Sequence, residues 1–119
     1  MNLQEAMALV EEGWKFTPDK YPGLYRLPII GEETTRFAIS HVNLHFQKSA
    51  GALGALVEQW DHGKDGGEEE SIRLRSIAIK QVINSLRLVR LVGLHDFEVA
   101  HEITAWATER IPGLGDVLT

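Results

Sequence analysis

Placed at 100° per residue, the apolar positions of residues 68–92 leave almost no polar side. Ile72, Leu74, Ile77, Ile79, Val82, Ile83, Leu86, Leu88, Val89, Leu91 and Val92 spread round the axis, and the one sector free of them holds Arg73, Lys80, Asn84 and Arg87. A helix that is apolar nearly all round belongs in an interior. This stretch therefore reads as a central buried helix with one basic window to solvent. Glu68, Glu69 and Glu70 suit the positive end of its dipole, and Gly93 is suited to close it.

Three further helices follow from the same periodicity. Asn2 to Glu5 has the form of a capping box, with an apolar face of Leu3, Ala6, Met7, Leu9 and Val10, so the first helix is expected over residues 3–12. Ser49 can cap a second, with Ala50, Leu53, Val57 and Trp60 on its face and Leu56 beside it. Asp96 can cap the last, whose stripe is Phe97, Ala100, Ile103 and Ala107 and whose stop is Pro112-Gly113. The turn at Gly93 is short, so this helix is expected to fold back antiparallel on the central one.

Between residues 14 and 46 the period reads as two. Trp14 and Phe16 alternate with Lys15 and Thr17 before Pro18-Asp19 breaks the run; residues 24–27 make a second run that Pro28 stops; residues 34–46 are rich in β-branched and aromatic side chains. The third run changes face: Phe37 and Ile39 fall on one side, and Val42, Leu44 and Phe46 on the other. A bulge near Ser40 would repair the register. The expected fold is therefore α+β: a small antiparallel sheet of about three strands with four helices, including a C-terminal antiparallel helix pair around the central buried helix. One domain over residues 1–119 is expected, with a flexible glycine-rich linker at residues 61–67.

Composition narrows the chemistry. The hydrophobic share of 44% and charged share of 24% are those of an ordinary globular chain. A sequence without cysteine has no disulfide framework, thiolate metal site or cysteine nucleophile, and suits a reducing compartment. With no apolar run long enough to span a bilayer, the chain is expected to be soluble and cytoplasmic, with no membrane partner. Twelve Lys and Arg against seventeen Asp and Glu give a net charge of −5, which disfavours nucleic-acid binding by the whole surface.

Few motifs survive inspection. His101-Glu102 begins like a zinc-protease helix, but Ala105 stands where the second histidine is needed. The segment from Gly63 to Gly67 has one lysine but not the Lys-Ser or Lys-Thr order of a phosphate loop. No metal or cofactor is expected. Two sets of residues are left. His41, Asn43 and His45 share one face of the expected strand as a ligand-binding candidate, although about 13 Å would separate the two histidines there. Arg73, Lys80 and Arg87, seven apart and nearly aligned on the central helix, form a candidate partner-binding stripe. The acids Glu98 and Glu102 of the last helix offer an internal answer to Arg87 and Arg90.

These features support, in order, a small non-enzymatic protein-binding regulator, inhibitor or assembly factor; a nucleic-acid-associated protein using the basic stripe; and a small ligand-binding domain or enzyme using the His41/His45 face. Open sheet edges and an excess of aliphatic and tryptophan side chains point to a homodimer.

Overall fold

The computed structural model describes residues 1–22, 32–64 and 66–118. These form α1 (Leu3–Gly13), α2 (Glu32–Asp61), α3 (Gly67–Leu91), α4 (Asp96–Arg110) and α5 (Leu114–Leu118), with no strand among the described residues. The expected α+β class is thereby corrected to all-helical. Residues 14–17 are irregular, residues 34–46 are helical, and the proposed strand at residues 24–27 lies outside the described residues. The helix expected to start at Ser49 is the second half of α2, which runs unbroken for 30 residues, or about 45 Å.

The apparent change of face at Ser40 explains the error. A strand needs a bulge to move its apolar set from Phe37 and Ile39 to Val42 and Phe46, whereas a helix needs nothing, because steps of three and four residues keep one face. Ala38, Val42, His45, Ser49 and Leu56 recur at those steps and include the buried positions of α2. Leu74, Ile77, Gln81, Asn84, Leu88 and Leu91 recur in the same way on α3. Leu56 and Ile77, Ser49 and Asn84, and Val42 and Leu88 line shared grooves from the two helices, so α2 and α3 form an antiparallel hairpin with a heptad-spaced seam.

Glycine and glutamate set the ends of this hairpin. Gly63 at φ 73° ends α2 in a Schellman arrangement, with Gly63 N donating to the Trp60 carbonyl and Lys64 N to that of Gln59. Glu70 then clamps the tip, accepting from the Trp60 indole and, at 2.7 Å, from the Gly66 amide. Gly93 at φ 81° repeats the device after α3, with Leu94 N on the Val89 carbonyl at 2.9 Å. A Cβ is strained at this dihedral, so Gly93→Ala should lower stability by about 1 kcal/mol in urea unfolding. The space around it is open, so the strain alone sets that cost.

α1 begins where expected, with Asn2 Oδ1 accepting from the Glu5 amide at 2.9 Å. It packs on the C-terminal half of α3, where Glu11 accepts from Arg90 Nε at 3.0 Å. The element that follows α3 departs from expectation. α4 does not lie along α3 as an antiparallel partner; it touches α1 and α5 and buries no residue. Nor is α3 buried all round: Ile72, Ile79 and Val82 are exposed, while Asn84 and Arg87, from the expected solvent window, are 4% and 7% exposed. The interior of this chain is thin. Met7, Ala38, Val42 and Leu56 are its buried hydrophobic residues among those described. The molecule is a slab of 48 × 47 × 24 Å with a radius of gyration of 18.3 Å, against about 13.5 Å for a compact chain of this length.

Candidate functional site

After α1 the chain turns at once across the hairpin. Trp14 N donates to the Val10 carbonyl at 2.9 Å, and a turn closes with Tyr21 N on the Thr17 carbonyl at 2.9 Å. This short excursion brings Trp14, Phe16 and Tyr21 onto one side of α2. The Trp14 indole donates to the Tyr21 hydroxyl at 2.9 Å, and the Phe16 and Tyr21 rings stack at 4.9 Å.

Helical geometry places His41 and His45 under these rings. Their Nε2 atoms are 3.2 Å apart, so one ring carries the shared hydrogen and the other accepts it. Tyr21 meets His41 edge-on at 4.7 Å, and Trp14 meets His45 at 4.8 Å. Burial, then the neighbouring His45 and Lys48 charges, hold the His41 imidazole below its ordinary value near 6.5. The fold thus favours neutral His41. Its contribution to stability is complete above about pH 6.5, where the unfolded chain is also neutral, and is lost as pH falls through the lowered folded value. Melting temperatures of the wild type and His41→Gln, followed from pH 7.5 to 5, should diverge: the wild type falls more steeply below pH 6.5.

Beside the histidines lies a cavity of about 610 Å³, bounded by the end of α1, the Trp14–Tyr21 excursion, α2 and α3. Lys20, Lys48 and Lys80 reach it from three different elements, and among the described residues no carboxylate lines it. Ser49 and Asn84, both buried, form its floor at the hairpin seam. Asn84 Nδ2 donates to Gln81 Oε1 at 3.0 Å, which leaves the Asn84 carbonyl oxygen and the Ser49 hydroxyl unengaged by other described residues.

The structure divides both sets of sequence candidates. His41 and His45 come together, whereas Asn43 points to the opposite side of α2, into a second groove of about 410 Å³ that Ile39, Phe46 and Leu88 also line. Of the basic stripe, Arg73 pairs with Glu69 at 2.9 Å, Lys80 lines the cavity, and Arg87 lies buried beneath the excursion. Arg87 Nε donates to the Trp14 carbonyl at 2.7 Å, and its guanidinium carbon sits 5.2 Å from the Phe16 ring centroid. The internal answer to Arg87 and Arg90 therefore comes from α1 and the excursion. Glu98 instead accepts from the His95 amide at the start of α4. His101 is exposed on α4, and no group of three His, Asp or Glu able to hold a metal occurs among the described residues.

Trp14, Lys20, Tyr21 and Lys48 were absent from the sequence candidates. Reading residues 14–46 as strands hid them, since Lys48 joins His41 and His45 only at helical spacing, seven and three residues on. No helix among the described residues is long and apolar enough to cross a membrane. Comparison with family models, curated proteins and solved structures finds no match to this chain.

Proposed function

We propose that this chain works by binding, as a cytoplasmic helical assembly module or regulator whose unit is a homodimer. One observation carries the reading. Leu53, Val57 and Trp60 of α2, Val82 of α3 and Val92 just beyond its end are exposed, Leu53 at 41% and Val82 at 53%. Leu53, Val57 and Trp60 follow Ala52, Leu56 and Gln59, which share a groove with Ile77 of α3, and Val82 and Val92 follow the seam residues Gln81 and Leu91. In an antiparallel pair this puts them on one face, away from the cavity side, where Lys48, Lys80 and Ile83 each sit one position before a seam residue.

The area supports a second copy as the occupant. The chain exposes 8763 Å², where a compact monomer of 13.3 kDa exposes about 6,500 Å². The excess of about 2,300 Å² is of the size that each subunit of an obligate dimer buries. Two hairpins laid face to face make a four-helix bundle about a two-fold axis and supply the core that one chain lacks. The dimer thus follows from a helix face and not from the sheet edges expected at first. A cysteine-free sequence suits the reducing cytoplasm.

Light scattering at micromolar concentration tests this reading. It predicts a mass of about 27 kDa, twice the 13.3 kDa of one chain. A mass near 13.3 kDa at every concentration up to the solubility limit overturns it.

A further inference from the structure

The cavity opposite the proposed dimer face has a chemistry that assembly does not use. We propose that it binds a small organic phosphate, with the phosphoryl group among Lys20, Lys48 and Lys80 and a flat organic part beside Trp14 and Tyr21.

Charge is the first support. Three lysines from separate elements converge on one cavity in a chain of net charge −5, and among the described residues none of them pairs with a carboxylate. Like charges gathered without a counter-charge repel one another, and a divalent anion relieves that repulsion where a neutral ligand does not. Ammonium groups bind phosphate as point charges and need no fork geometry.

The floor and wall supply the second. Among the described residues, the hydroxyl of Ser49, 7% exposed, and the carbonyl oxygen of Asn84, 4% exposed, have no hydrogen-bond partner. Buried polar groups are ordinarily paired, so a ligand or the water around it is the natural partner. With its lone pair engaged by the Trp14 indole, the Tyr21 hydroxyl keeps its hydrogen to donate. At about 610 Å³ the cavity falls within the range of small-molecule sites and far exceeds the needs of a bare phosphate. The remaining space is walled by aromatic rings, which favour a flat partner.

The test uses the full chain with phenyl phosphate, inorganic phosphate and phenol as probes, following the Trp14 indole resonance. Phenyl phosphate should give saturable shifts at Trp14 and bind more tightly than either fragment. Its affinity should fall with added salt and drop at least about tenfold for Lys48→Gln and again for Lys80→Gln, one charged hydrogen bond each. Lys64→Gln, in the loop between α2 and α3, should bind as wild type. Both cavity lysines are exposed, so equal melting temperatures will show that the variants fold. Absence of any shift with phenyl phosphate, equal affinity for phenol, or an unchanged affinity in the Lys48→Gln, Lys80→Gln double variant overturns the proposal. Because this face lies away from Leu53 and Val82, a monomeric chain that still binds phenyl phosphate would separate this inference from the dimer.

Discussion

A Leu53→Asp, Val82→Asp double variant should run as a monomer while keeping its helical circular dichroism. Both side chains are about half exposed in the single chain, so each owes little to intrachain packing. In the bundle both would be buried, and an unpaired carboxylate in an apolar contact costs several kcal/mol. Two such groups per chain, repeated by symmetry, exceed what an interface of this size can absorb. Gln47→Asp, on the exposed outer edge of α2, adds the same charge and should leave the dimer intact. Sedimentation velocity on the three proteins checks this. A double variant that sediments as wild type would place the interface elsewhere.

Arg87→Ala should cost about 2–4 kcal/mol in urea unfolding. Arg87 is 7% exposed, and its guanidinium donates to the Trp14 carbonyl and underlies the Phe16 ring. Truncation leaves that carbonyl without its donor, removes a cation–π contact and opens a gap under the excursion. Burial pushes the Arg87 pKa down while the Glu11 carboxylate partly restores it, and an arginine nevertheless stays charged at neutral pH. Arg73→Ala is the comparison. Its exposed pair with Glu69 is an i,i+4 contact worth about 0.3–0.5 kcal/mol. Trp14 fluorescence adds a readout, since release of the excursion should shift its emission to the red. Equal costs at the two positions would mean that Arg87 does not hold the excursion in solution.

The contrast between those arginines shows what could be read in the sequence. Local chemistry was legible: Asn2 caps α1, Gly93 ends α3, and Glu68, Glu69 and Glu70 crowd the first turn of α3. Long-range partners were not. Arg87 and Trp14 are 73 residues apart, and nothing in either neighbourhood marks the other. The hairpin seam was hidden for a different reason. Its middle is built from His45, Ser49, Gln81 and Asn84, polar residues that a hydrophobic pattern assigns to the surface. With the seam misread, the apolar flanks of α3 became the expected core, and Asn84 and Arg87 the expected window. Polar seam positions of this kind serve to fix register in paired helices. Within the candidate site, the His41/His45 spacing of four was visible, but it joins the two rings only once residues 34–46 are helical.

The apolar excess of α3 was also legible, and it leads back to the dimer. A helix with Ile72, Ile79 and Val82 exposed on the single chain carries more apolar surface than its own fold covers. The most direct test is an isotope-filtered NOE experiment on a mixture of labelled and unlabelled chains. The four-helix bundle predicts intermolecular contacts from the methyl groups of Leu53, Val57 and Val82. Intermolecular contacts confined to other residues, or none in a sample whose mass is that of a dimer, would contradict it.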